Sequence, residues 1–261
     1  MVFLYDGTFE GLLSALAAAA DVPEGDLTVA QEGNWQPSLL EDACRVGAKT
    51  ELAERFLERV RREVSGVAAR HLVHVWCSEQ PGIESVLLEY VRLAFRHGTA
   101  VDGYQTHAAV REVTRVARRV SGEAHRLKGL LRFRRMPDGS FYAPLAPDAN
   151  VALLVGCHFQ HRLSAECWLI HDVKRDLGVF WDRRRLEVAE VTAGTPPARA
   201  CEAGASPSAS LHREEDLYQQ LWQQYFEAIA IPDRCRPTLQ RKCMPRRYWP
   251  YLVERPGRGR P

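Results

Sequence analysis

Six residues between positions 142 and 175 carry side chains suited to proton transfer or charge stabilisation: Tyr142, Asp148, His158, His171, Asp172 and Arg175. A histidine beside a carboxylate is what general acid–base chemistry uses, because the carboxylate fixes the imidazole tautomer and tunes its pKa. His171 is the acid–base candidate, with His158, Asp172 and Tyr142 as its companions, and His171 and His158 are expected to share a concave surface. Each also has a structural role open to it. Asp148 follows a proline and can cap a helix. Asp172 can open a turn, and adjacent His171 and Asp172 point to opposite sides if one strand runs through both.

Cys157–His161 and Cys167–His171 repeat one spacing. Four such ligands can bind zinc. The first pair falls on an expected helix, however, and the second near a strand start, where four residues span about 13 Å. No metal site is expected. No cofactor is expected either, because the chain has no P-loop, GxGxxG, HExxH or CxxxCxxC pattern. The cysteines number seven and lack CxxC spacing, so no disulfide framework is expected.

A second constellation is basic. Val110, Val113, Ala117, Val120, Ala124 and Leu127 recur at helical spacing, and Arg111, Arg115, Arg118, Arg119 and Arg126 lie opposite them. Lys128, Arg132 and Arg134 follow, so that nine basic residues face two acidic ones between Arg111 and Arg135. Arginine carries a planar donor fork that suits phosphate. Near the C-terminus, Arg246 and Arg247 stand beside Tyr248, Trp249 and Tyr251, and cations interleaved with aromatics suit a nucleic-acid strand. These ten basic residues are the candidate DNA-binding set.

The elements that must position these residues follow from local pattern. Val2–Tyr5 and Leu27–Gln31 read as short strands. Thr8 is placed to cap a helix over 9–20. Helices are expected over about 49–64, 67–77, 83–97 and 105–127. A hairpin turns at Pro137-Asp138-Gly139, a helix runs from Asp148 to about Leu163, and strands cover 167–172, 177–181 and 186–191. The fold class is therefore α+β: a largely helical N-terminal half, a small antiparallel sheet with a packed helix, and a C-terminal helical segment after a flexible linker. The expected organisation is an α+β domain over 1–191, a linker at 192–211 rich in Ala, Gly, Pro and Ser, and a disordered tail at 253–261. Between them a helical segment, 212–252, docks on the main domain through Leu217, Leu221, Trp222 and Tyr225.

Hydrophobic residues make up 46% of the 261 and the formal net charge is +2, so bulk charge does not announce a nucleic-acid binder. The opening residues show no signal peptide, and the apolar run Leu12–Ala20 is too short to span a bilayer. A cytoplasmic protein with no membrane contact is expected.

The chain also resembles a known family. The resemblance is carried by Tyr5-Asp6-Gly7, Phe133, Tyr142-Ala143-Pro144, Pro147-Asp148, His158-Phe159, Arg162, and Trp168 to Asp172 with Arg175. It continues in Leu221-Trp222, Tyr225-Phe226, Ile229-Ala230-Ile231, Leu239-Gln240 and Met244 to Trp249. These segments are similar to a family of DNA metabolism or repair proteins. Its members are encoded beside a radical-SAM protein and sometimes fused to a uracil-DNA-glycosylase-like domain. The resemblance implies DNA as a partner, with a radical-SAM protein and a uracil-DNA-glycosylase-like protein beside it. The expected function is a DNA-binding accessory factor in repair or modification. The alternatives are an enzyme acting on DNA through a histidine, and a protein-interaction scaffold.

Overall fold

The computed structural model describes residues 1–20, 22, 27–36, 42–191 and 212–254. The expected linker lies outside the described residues, as does the tail beyond Glu254. The chain divides into two compact units, Met1–Ser121 and Gly122–Pro261.

The first unit opens with β1 (Val2–Tyr5), whose four apolar residues are all buried, as a run without alternation requires when both faces are covered. Asp6-Gly7 then turns the chain. The Thr8 hydroxyl accepts the Gly11 N–H at 2.9 Å, the expected cap of α1 (Phe9–Ala20). The chain returns through β2 (Thr28–Gln31) and β3 (Ala43–Arg45), which flank β1 in the order β2-β1-β3 with every pair parallel. Helices α2 (Thr50–Glu63), α3 (Gly66–Cys77) and α4 (Ile83–His97) pack with α1 around a core that includes Leu16, Phe56, Leu72, Leu87 and Tyr90. The division between the units falls inside α5 (Ala108–Leu130). All six residues of its expected apolar stripe are buried.

The second unit is built on a five-stranded sheet: β4 (Arg134–Arg135), β5 (Phe141–Leu145), β6 (Trp168–Asp172), β7 (Leu177–Trp181) and β8 (Leu186–Glu190), in sequential order. The wholly antiparallel sheet expected from local pattern is corrected at one pair. β5 and β6 run parallel, because α6 (Ala152–Arg162) carries the chain back to the starting edge, the crossover that parallel neighbours require. The other pairs are antiparallel. The first strand of the expected hairpin shrinks to two residues. The class itself is α+β, as expected.

α6 begins four residues after Asp148, with Val151 as its cap. Asp148 is therefore not the cap that its position after Pro147 suggested. α6 covers one face of the sheet. A Cβ on Gly156 would stand 2.6 Å from Val179 Cγ1, and Phe133 bridges Phe159 and Trp168 with ring centroids 5.0 and 6.1 Å away.

The last helices are α7 (Glu215–Ala228) and the short α8 (Pro237–Cys243), followed by a 3-10 turn over Arg246–Tyr251. α7 does not dock as expected. Leu217, Leu221, Trp222 and Tyr225 are 41–56% exposed. The helix is held by polar anchors instead. Glu215 is buried and accepts the Arg135 N–H at 2.9 Å. The Trp222 indole donates to Glu254 and the Gln223 amide to the Val253 carbonyl. Glu254, which falls in the expected disordered tail, is buried and takes both nitrogens of a bidentate Arg132.

Candidate functional site

Of the acid–base candidates, the structure brings Tyr142 and His171 together. β5 and β6 are aligned so that Tyr142 lies beside Leu169 and Pro144 beside His171. Tyr142 and His171 thus share one sheet face, and the Tyr142 hydroxyl lies 2.8 Å from His171 Nδ1. Among the described residues His171 Nε2, sealed from solvent, has no hydrogen-bond partner; the Asp176 carboxylate Oδ1 is 3.9 Å away. Burial pushes the imidazole pKa below its ordinary value, against the pull of Asp176 and Asp172, which favours the neutral ring. Burial likewise raises the Tyr142 phenol.

His158 and Asp172 do not join this pair. Alternation along β6 puts Trp168, Ile170 and Asp172 on the face opposite His171. That is the face α6 covers, and His158 lies on α6 with its ring against the neighbouring Phe159. The expected common concave surface for His171 and His158 is therefore corrected: a sheet stands between them. Asp172 is fully buried and accepts the Lys174 N–H and the Arg175 guanidinium, at 3.0 and 2.9 Å. Arg175 also donates to the carbonyls of Pro147 and Asp148. Asp172 and Arg175 thus fasten a turn to the loop ahead of α6. Burial still pushes the Asp172 carboxyl above its ordinary value, despite those donors.

Cys167 is disulfide-bonded, which removes one of the four weighed zinc ligands. Among the described residues no group of three or more His, Cys, Asp and Glu is disposed to hold a metal ion.

The candidate DNA-binding residues separate by how their charge is used. In the first unit Arg111, Arg118 and Arg119 are exposed and form no ion pair among the described residues. Arg115 is exposed as well, but its guanidinium forks onto Glu112 at 2.8 and 2.5 Å. Burial lowers the His71 pKa, Asp102 opposes that shift, and Arg70 on α3 and Arg118 add to it.

In the second unit Arg132 is spent on Glu254. Arg247 is spent on Glu123 and Asp148, both at 3.0 Å. Arg246 lies over the Trp249 ring at 5.8 Å. Arg126 and Arg134 each hold a buried Nε without a hydrogen-bond partner among the described residues, and Lys128 is half-buried.

Three acidic residues missed by local pattern organise the second unit: Glu123, Glu215 and Glu254. Glu123 is 3% exposed and accepts from the Asp148 and Ala149 amides, the Tyr248 hydroxyl and Arg247. A groove of about 660 Å³ runs between α7 and the sheet edge, with Phe133, Phe141, Tyr218 and Trp222 among its walls. Arg132 and Arg135 line it opposite Glu166 and Glu215, so its charge is balanced.

The described residues thus define an α+β protein with an unpaired arginine row on one unit and a half-buried tyrosine–histidine pair in the sheet of the other. Residues 81–254 match the domain of unknown function DUF4130, and the chain belongs to that family. No curated protein and no solved structure matches it. Among the described residues no helix is long and apolar enough to cross a membrane.

Proposed function

We propose that the chain is a DNA-binding accessory factor in DNA repair or modification. It acts in the cytoplasm with a radical-SAM partner and beside a uracil-DNA-glycosylase-like protein. One observation carries the DNA-binding reading: among the described residues, Arg111, Arg118 and Arg119 stand exposed on α5 with no carboxylate bound to them. Most helix-surface arginines can find an acid three or four residues away, as Arg115 does with Glu112. An unpaired row with Arg70 and His71 beside it offers several guanidinium forks to phosphate oxygens, interactions that position a strand without reading its sequence. The pathway and the partners come from the family resemblance. The exposed apolar row of α7 is the surface this reading gives to the partner protein.

The test is a salt titration of binding to single- and double-stranded DNA. Replacing Arg111, Arg118 and Arg119 with glutamine weakens binding to all sequences. The log–log salt slope shrinks by about 0.9 for each phosphate that is no longer neutralised. Arg115→Gln has a smaller effect, because Glu112 already neutralises it. A triple variant that binds with the parent's affinity and slope removes the reading. The enzyme reading is less favoured: it needs His171 to reach a reactant, and its free nitrogen is sealed.

A further inference from the structure

The Tyr5-Asp6-Gly7 opening builds a cavity that the arginine row does not use. β1 and β2 are parallel and paired through Tyr5 and Gln31, so both strands finish at the same end of the sheet. The carboxyl ends of parallel strands are where α/β sheets commonly hold ligands. Here they border a cavity of about 280 Å³ whose walls include Tyr5, Gly7, Gln31, Trp76, Gln80 and Glu84. Gly7 has φ +91°, and a Cβ there would lie 2.5 Å from Gln31 Nε2, so the amide rests directly on the glycine. Gln31 Oε1 is taken by Asn34 at 2.9 Å, which leaves Nε2 as the donor. The Trp76 indole is fixed by its bond to the Gly7 carbonyl at 3.3 Å and by a tilted contact with Phe9, 5.4 Å between ring centroids.

Glu84 is the informative residue. It is 8% exposed, yet among the described residues it receives one hydrogen bond, from the Tyr5 hydroxyl at 3.1 Å, and no ion pair. A carboxylate has room for about four donors, so Glu84 keeps acceptor positions available in the cavity that it lines. Acceptor positions on Glu84, a donor on Gln31 and an aromatic wall make a combined requirement. A simple cation meets only part of it, because it offers nothing for Gln31 to donate to.

We infer that this cavity binds a planar nitrogen heterocycle presenting N–H donors beside a carbonyl acceptor, the edge that guanine carries among the nucleobases. Glu84 accepts the ring N–H and the exocyclic amine, Gln31 donates to the carbonyl, and Trp76 packs on the ring face. The volume lies just below the usual range of small-ligand sites, about 300–1,000 Å³, and suits one base. This inference is independent of DNA binding by the arginine row.

Calorimetric titration of the full chain tests it, with guanosine, inosine, adenosine and arginine as probes. Guanosine binds. Inosine, which lacks the exocyclic amine, binds about tenfold more weakly, the loss expected for one hydrogen bond to a charged group. Adenosine and arginine bind more weakly still. Glu84→Gln lowers guanosine affinity at least as much as deletion of the amine, with the near-ultraviolet circular dichroism of the parent retained. If that variant fails to fold, Gln31→Ala, a change at a partly exposed residue, still weakens guanosine. A single-stranded oligonucleotide with one guanine separates a base delivered by a strand from a free nucleoside. No binding of guanosine in the free or strand-borne form at millimolar concentration overturns the inference. So does affinity unchanged in the folded variants, or tighter binding of arginine than of guanosine.

Discussion

The Tyr248 hydroxyl donates to Glu123 across 2.5 Å, joining α5 to the C-terminal 3-10 turn within the second unit. The same carboxylate takes the amides of residues 148 and 149 and the Arg247 guanidinium. Burial would raise its pKa, but Tyr248, the two amides and Arg247 together hold it below the ordinary carboxylate value. The phenol is pushed up to about 12, first by burial and then by its bond to Glu123.

This arrangement sets a first expected outcome. Glu123→Gln removes the charge that four donors converge on, leaves Arg247 to Asp148, and sets an amide N–H against one of the former donors. The loss is about 3 kcal/mol of unfolding free energy, in the range for breaking a buried, hydrogen-bonded charge. Tyr248→Phe, which deletes one donor and leaves the rest, costs about 1–2 kcal/mol. Urea unfolding measures both. Equal losses for the two variants would show that the phenol, not the carboxylate, organises the cluster.

Burial holds His171 below the ordinary histidine value of 6.5, and the sign of its effect follows. Well above 6.5 the imidazole is neutral in both states and contributes nothing to pH dependence. As pH falls through 6.5 the unfolded chain takes up the proton first, so stability is lost until the folded ring also protonates. His71 shifts in the same direction and adds to the loss. The urea midpoint of the parent therefore falls from pH 7 to about 5.5, and that of His171→Gln falls less. Parallel declines in the two proteins would assign the titration to other groups.

Gly156 offers a sharper test of packing. In an open helix, alanine is favoured over glycine by about 1 kcal/mol. A Cβ at position 156 would meet Val179 Cγ1 at 2.6 Å, and overpacking costs about 1–3 kcal/mol. The second effect wins, and Gly156→Ala destabilises the protein. Gly129→Ala, in α5 with no atom within 4 Å of the added carbon, does not. Denaturation of the two variants side by side decides it, and a stabilised Gly156→Ala would place α6 further from the sheet.

The polar docking of α7 yields the fourth. Leu217 and Tyr225 are 56% and 54% exposed, so Leu217→Ser and Tyr225→Ser each change unfolding free energy by about 0.5 kcal/mol or less. Glu215 is buried between the Arg135 amide and the Gln219 side chain, and Glu215→Ala costs about 1–3 kcal/mol. Large losses in the serine variants would mean that the apolar row buries itself against another part of the protein.

Local features of the fold were legible in the sequence. The α5 stripe from Val110 to Leu127 has helical period, and all six residues are buried. Thr8 caps α1 because its hydroxyl sits three residues ahead of a free amide. β1 is a short apolar run without alternation. Each rests on neighbours within a turn or two, so spacing alone determines it. What tertiary structure decided involves distant partners. β6 lies parallel to β5 because α6 crosses one sheet face. That same layer separates His158 from His171, which no spacing along the chain reveals. Arg132 and Arg247 read as free cations, yet their carboxylates, Glu254 and Glu123, stand 122 and 124 residues away. A charged side chain is equally at home in water or in a buried pair, and its type and local spacing are the same in both cases. Only the placement of its partner separates an exposed guanidinium such as Arg118 from one already bound.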